Sequence, residues 1–295
     1  MYHAGEVAVQ RKAGVRAGNW GSAHVTAEIP DVAADFLAQQ RLVAIGAADA
    51  DGLVWASALV GPPGFVSAPD ERTVVTDRAP RGGDPLAGRF DTEQELGMVA
   101  IEPATRRRMR VNGTARRVGD GLLIRTGQVY ANCPKYLQTR LPEGSFAEST
   151  PGAARDGDVL TATQREWIAG ADTFFVTTLA DGKGVDTSHR GGNPGFVAVT
   201  GERTLTWPDY TGNSMYMTLG NLELDARCGL LFLDWEHGHA LHLSGRARTD
   251  WDPGRAAAFP GAHRLVDFAL ERAVEIGHAF PMRWSFEKYS KFNPS

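Results

Sequence analysis

The chain repeats itself. Pro63-Gly64-Phe65-Val66 returns as Pro194-Gly195-Phe196-Val197, and Glu71-Arg72-Thr73-Val74 returns as Glu202-Arg203-Thr204-Leu205, at a constant offset of 131 residues (63 to 194, 71 to 202). Phe36-Leu37 matches Trp167-Ile168 and Ser57 matches Ser188. After a slip of one residue, Gly97 matches Gly229 and Gly113 matches Gly245. One duplication with conserved element order accounts for all of these matches. Two like units on one chain can pair as a pseudo-dimer, and the seam of such a pair is a natural place for a ligand. The boundary falls near 150, giving a first unit over 1–150 and a second over 151–295, joined by the Gly-, Ser- and Pro-rich stretch 142–158.

Turn chemistry and alternation divide each half in the same way. Residues 1–28, with several glycines and charges, read as an extended arm of the first unit. The spacing of Val32, Phe36 and Leu37 predicts a helix over 30–40. Strands are expected at 42–45, 53–59, 73–76, 97–101, 109–116 and 121–126. The second half offers a helix at 164–169 and strands at 173–179, 184–189, 196–199, 204–207, 228–234 and 239–250, with a short helix at 215–224. Val266, Ala269, Leu270, Ala273 and Val274 predict a C-terminal helix over 265–280. Six short strands around a small helix, twice over, make a mainly β fold of two tandem antiparallel barrels.

Composition excludes more than it selects. The net charge of -4 is dispersed, which argues against nucleic acid or an anionic membrane as partner. Two cysteines, Cys133 and Cys228, lie in different halves without metal-ligand spacing and read as small packed residues. No signal-like N-terminus or long apolar run stands out, so a cytoplasmic protein is expected.

Neither a P-loop nor a dinucleotide fingerprint is present. Asp186, Ser188 and His189 resemble a hydrolytic triad in composition only, because neighbours on a strand point to opposite faces. His237, His239 and His242 likewise suit a solvated strand end better than a metal site. What remains is a set of groups at strand ends. Ser188, His189 and Arg190 precede a Gly-rich turn, and one strand later Trp207, Tyr210, Asn213, Ser214 and Met215 lead into the short helix. A guanidinium, aromatic faces and a helix N-terminus in that order suit a phosphate-bearing aromatic ligand.

The stretch 207–232 resembles the core of the pyridoxamine 5′-phosphate oxidase-like, FMN-binding split-barrel superfamily. The resemblance rests on Asn213-Ser214-Met215, Leu219-Gly220-Asn221-Leu222 and Ala226-Arg227-Cys228-Gly229-Leu230-Leu231-Phe232. Arg106-Arg107-Arg108-Met109-Arg110-Val111-Asn112-Gly113 and Asn132-Cys133-Pro134-Lys135-Tyr136 resemble it too. Tyr2-His3-Ala4-Gly5-Glu6 with Gln10 is similar to a tandem-barrel branch found in bacteria. The resemblance implies two six-stranded split barrels with FMN between them. By it Arg190 contacts the phosphate and 207–210 lies along the flavin ring. Ser214, Met215 and Tyr216 stand where the oxidase has Ser-Arg-Lys, so the missing charge must come from Arg108, Arg110 and Lys135 across the seam.

The implied function is an FMN-dependent oxidoreductase acting on a small molecule, with a nicotinamide as candidate electron donor and whole chains free to pair further. No catalytic acid or base is assigned. Pyridoxamine phosphate is a poor candidate substrate, since Arg283-Trp284-Ser285-Phe286 lacks the oxidase's Arg and His pattern. Two alternatives stand beside this reading. One is a non-enzymatic store or sensor of flavin or haem, with His189, His237 or His242 as axial ligand; the other is a cofactor-free structural pair. Asp77 and Asp84 in the first half's counterpart of the 207–214 run predict one competent site per chain.

Overall fold

A computed structural model describes residues 2–15, 25–144, 146 and 150–295. Gly18 and Gly21 of the expected arm, and 145 and 147–149 of the expected linker, lie outside the described residues. The first half comprises α1 (Ala4–Lys12), α2 (Asp31–Ala38), β1 (Leu42–Ala48), β2 (Val54–Val60), β3 (Val66–Asp70), β4 (Thr73–Thr76), β5 (Gln94–Glu102), β6 (Arg107–Val118), β7 (Gly121–Ala131) and β8 (Thr139–Glu143). The second half has β9 (Ala154–Gly157), α3 (Ala162–Gly170), β10 (Thr173–Ala180), β11 (Gly184–Gly191), β12 (Ala198–Val199) and β13 (Thr204–Asp209). It continues with α4 (Met217–Leu224), β14 (Arg227–Leu233), β15 (Ala240–Asp250), α5 (Pro253–Ala256), β16 (Arg264–Ile276) and β17 (Arg283–Lys288).

The duplication is written in the topology. One sheet runs β2-β1-β5-β6-β7-β4-β3 and the other β11-β10-β14-β15-β16-β13-β12, the same order with every pairing antiparallel. Even the irregularities repeat. The ladder slips between Asn112 and Gly113 in β6 and between Ser244 and Gly245 in β15. A Cβ would sit 1.9 Å from Arg125 O at Gly113 and 2.1 Å from Ala269 O at Gly245, so the bulge requires glycine at both.

That bulge explains one element assigned to the wrong class. Residues 265–280 are not a helix, because β16 fills most of that range. Ser244 pairs with Arg272 and Gly245 with Leu270, leaving Glu271 unpaired. Val266, Phe268 and Leu270 alternate into the second barrel's core, and beyond the bulge Val274 and Ile276 enter the first barrel's core. Two period-2 runs offset by a bulge imitate a helical period. The second unit therefore ends on strands, with no C-terminal helix.

The arm is also different from expectation. Residues 4–12 form α1, opened by a capping box in which His3 Nδ1 accepts from Gly5 N at 3.2 Å and Glu6 accepts from His3 N at 2.7 Å. Its Val9 is fully buried in the second barrel's core, so α1 belongs with the second half. Gly5, one of the glycines that suggested an extended arm, serves a helix crossing instead. The expected linker similarly takes in the end of β8, paired with β17, and all of β9, paired with β16.

Each barrel has its own apolar core, and a third core joins them. Leu42, Ala44, Ala56, Val99 and Ile101 from the first half pack there with Phe175, Leu231 and Leu233 from the second. The backbones approach closely at this seam. A Cβ on Gly97 would lie 2.6 Å from Thr187 N and 2.9 Å from Val185 O, both backbone atoms that cannot step aside. Gly97→Val should therefore destabilise the chain by about 3 kcal/mol, the upper range for overpacking. A thermal melt should show this as a fall of at least several degrees; an unchanged melt would mean that the sheets separate there at no cost.

Candidate functional site

The seam opens at one end into a cleft of about 920 Å³, solvent at its mouth included. Strand β6 and the segment after β7 supply one wall through Arg108, Arg110, Lys135 and Tyr136. The end of β11 and the 208–219 segment supply the other. Period 2 sends Arg108 and Arg110 to the same face of β6, and both cross the seam to β11.

Arg110 is fixed by a carboxylate. Its Nη1 donates to both oxygens of Asp186 at 3.0 Å, and Asp186 Oδ1 also accepts from the Tyr130 hydroxyl at 3.0 Å. Asn112 Nδ2 and Thr218 Oγ1 complete the set at 3.3 Å each. Burial disfavours the Arg110 charge, but Asp186 and Tyr130 outweigh it and raise the pKa above its ordinary value. Burial likewise pushes the Tyr130 phenol well above its ordinary range, so it stays a neutral donor.

Arg108 and Arg190 are held differently. Arg108 donates through Nε to Cys133 O at 3.1 Å and through Nη2 to Cys133 O and, at 3.0 Å, Lys135 O; its Nη1 lies 2.6 Å from His189 Nδ1. Arg190 Nη1 donates to Ser188 Oγ at 2.9 Å and to His189 O at 3.1 Å. Neither makes an ion pair among the described residues. Burial, followed for Arg108 by the Arg110 charge, lowers the pKa of both, that of Arg108 to about 9. Both remain cations at neutral pH.

A guanidinium can only donate, so Nδ1 of His189 is an acceptor and the imidazole proton sits on Nε2. Burial and then the charges of Arg108, Arg190, Arg140 and Arg110 hold the pKa of His189 far below its ordinary value, which keeps the ring neutral. His189 is 4% exposed and its Nε2 has no partner among the described residues. Ser188 Oγ meets Thr218 Oγ1 at 3.0 Å and Arg190, so no hydrolytic pair forms with His189.

Of the residues singled out from sequence, His189, Arg190, Tyr210, Asn213, Ser214, Met215, Arg108, Arg110 and Lys135 all line this cleft. Ser188 lies behind Arg190 and supports it. Trp207 does not reach the cleft: with Leu205 it faces the barrel interior, its ring edge-on to Phe174 at 5.3 Å, while Pro208 on the alternate face lines the site. The short helix begins at Met217, with Tyr216 as N-cap and no side chain capping it. Met217, Thr218 and Leu219 of its first turn line the cleft.

Sequence reasoning missed four contributors. Tyr136 adopts φ +63° and lays its ring 5.0 Å from that of Tyr210, with its hydroxyl donating to Thr211 O at 3.1 Å. Tyr130 braces Arg110 from within. Asp209 is buried, which raises its pKa, while Arg190 and Arg264 pull it back. Arg264 Nε stands 3.5 Å from Asp209, and its guanidinium lies between the rings of Tyr216 and Trp251. The alternation that placed Arg108 and Arg110 would also have put Asp186 on the face shared by Ser188 and Arg190. Nothing local marks Tyr136.

His242 lies elsewhere, in a second cleft, with Nδ1 2.9 Å from Ala56 O. His237 and His239 stack at the surface beside His278. No helix among the described residues is long and apolar enough to cross a membrane.

Residues 160–283 match the family model described as pyridoxamine 5′-phosphate oxidase. Over that stretch the second half is similar to this split-barrel family, and the first half repeats the second half's strand order. No curated protein matches the chain. Among similar solved structures is a Clostridium acetobutylicum protein related to general stress protein 26 of the pyridoxinephosphate oxidase family. It is 14% identical over 42% of this chain and 89% of its own, with a TM-score of 0.29. An FMN-binding protein from Syntrophomonas wolfei is 12% identical over 38% and 82%, with a TM-score of 0.29. A FAD-binding protein from Mycobacterium smegmatis is 16% identical over 41% and 98%, again with a TM-score of 0.29.

Proposed function

We propose that the cleft between the barrels holds a flavin nucleotide, FMN, and that the chain is an FMN-dependent oxidoreductase acting on a small molecule. The observation that carries this is the pair Arg108 and Arg190, two half-buried guanidinia at the cleft that make no ion pair among the described residues, Arg190 being supported at longer range by Asp209 and Asp186. Two cations withdrawn from water without an ion-pair partner are costly, and a bound phosphate would supply the counter-charge. The uncapped start of α4 adds backbone donors of the kind that favour anions.

The chain's other groups suit the rest of such a ligand. Tyr136 and Tyr210 offer aromatic faces, and the fixed Nε2–H of His189 is a neutral donor awaiting an acceptor. Bound flavin would supply the electron transfer; the protein positions it and sets the surrounding charge. Substrate and donor, a nicotinamide being the candidate, would enter at the mouth near Lys135. Pyridoxamine phosphate gains no support from Arg283, whose Nη1 is spent on Phe280 O and Met282 O. The two halves already complete the cleft, so the proposal does not need a second chain.

Titration of the flavin-free protein with FMN, followed by absorbance and fluorescence, tests the reading. Binding should shift the bands at about 370 and 450 nm and alter the emission. A flat titration into the millimolar range would sink the proposal, and a Soret band on the purified protein would replace it with a haem protein.

A further inference from the structure

Helix α1 does not line the cleft, yet it is bound to the segment that does. Gln10 is 1% exposed, and its Nε2 points its hydrogens at Ser214 O, 3.4 Å away, and Met215 O, 3.3 Å away. Those two residues, with Tyr216, form the cleft wall ahead of α4. Ser214 and Tyr216 both hold positive φ, 60° and 58°, without being glycine. Such a conformation persists only when its surroundings over-determine it.

The position of Gln10 is set by a close helix crossing. A Cβ on Gly5 would stand 2.1 Å from Gly220 O, and one on Gly220 would stand 2.7 Å from Glu6 Cα, so α1 and α4 touch backbone to backbone. His3 fixes the rotation about that contact. Its Nδ1 accepts from Gly5 N, so its Nε2 carries the proton and donates to Asn221 Oδ1 at 3.0 Å; Asn221 Nδ2 in turn reaches Thr178 O at 3.3 Å on β10. His3, Gly5, Glu6 and Gln10, the residues that stand out near the N-terminus of the sequence, thus act as one fitting.

We propose that α1 is a positioning element of the ligand site and that Gln10 is its positioning residue, holding Ser214–Tyr216 in the shape that binds FMN. This rests on the flavin reading above. Coupling of this kind is reciprocal: if α1 shapes the wall that the ligand grips, the ligand must stabilise α1.

Two measurements on the full chain test it. Gln10→Met keeps the side chain's length and removes both donors; it should weaken FMN binding by roughly tenfold or more. Lys12→Ala, which removes an exposed contact to Glu223 and a 5.9 Å approach to the Trp251 ring, should leave the affinity unchanged. Hydrogen exchange of the 4–12 amides should slow several-fold when the unmodified chain is saturated with FMN, and this effect should shrink in Gln10→Met. An α1 that merely covers the barrel would exchange at one rate with and without ligand, and that result overturns the proposal even should Gln10→Met fail to fold. Equal FMN affinity in Gln10→Met also overturns it. Failure of the unmodified chain to bind FMN would instead remove the flavin reading, and this inference with it.

Discussion

Asp186→Leu should lower the unfolding free energy by about 3–5 kcal/mol, the range for breaking a buried ion pair by removing one partner. Asp186 side chain is 3% exposed and that of Arg110 12%, and they meet across the seam. Removing the carboxylate leaves the Arg110 guanidinium without its counter-charge, with the Tyr130 hydroxyl at 3.2 Å as a neutral partner, in a site that water reaches poorly. Arg72 and Glu28 are also 2.8 Å apart, but both are more than half exposed, so Glu28→Gln should cost about 1 kcal/mol at most. Denaturant melts of the two variants would show the contrast. Arg110→Met combined with Asp186→Leu should recover much of the loss, because no charge is then left alone. A cost for Asp186→Leu no larger than for Glu28→Gln would mean that water reaches the pair and that the seam is looser than it looks.

Such a pair was half legible in the sequence. Alternation along β6 sends Arg108 and Arg110 one way, and the duplication implies a seam for them to cross, so the charged wall of the cleft could be read from spacing. Its partner was hidden by competition. Asp186 looks like a triad member beside Ser188 and His189, and ruling out that chemistry left it without a role. Trp207 misled in the opposite direction: strand parity, applied to Leu205 and Trp207, puts the indole in the barrel. Tyr136 stood in a motif that carried the resemblance but had no role, since its place depends on a positive φ that no residue type around it announces. The false helix at 265–280 arose because a single bulge at Glu271 changed the phase of a period-2 pattern. The same bulge in the first half, at Gly127 opposite Gly113, marks the change of phase that the pattern in the second half conceals.

Aligned by their ladders, the halves also predict stoichiometry. A flavin titration should saturate near one equivalent per chain. Phe174 pairs with Arg190 where Val43 pairs with Leu59, and Phe175 pairs with His189 where Ala44 pairs with Ala58. Across the sheet, Ile101 pairs with Arg108 where Leu233 pairs with Ala240, and Val99 pairs with Arg110 where Leu231 pairs with His242. Ala58, Leu59 and His242 accordingly line the second cleft. The acidic groups expected to repel phosphate there are the lesser factor: Asp84 lines that cleft but accepts from Ser57, and Asp77 lies 3.5 Å from Arg78. The larger difference is that Leu59, Ala240 and His242 stand where the first cleft has Arg190, Arg108 and Arg110, the second cleft's own guanidinia being Arg78 and Arg81 from another segment. Rebuilding that loss in the competent half should reproduce its effect. Arg190→Leu removes a charge-assisted contact worth about 1.5–3 kcal/mol, or roughly 10- to 150-fold in FMN affinity. Adding His189→Ala removes the neutral donor and unseats Arg108, so the double variant should bind at least about a hundredfold more weakly. Calorimetry would give both numbers. Two equivalents of equal affinity in the unmodified chain, or a double variant that binds as the original does, would show that the guanidinia at 108 and 190 are not what distinguishes one cleft from the other.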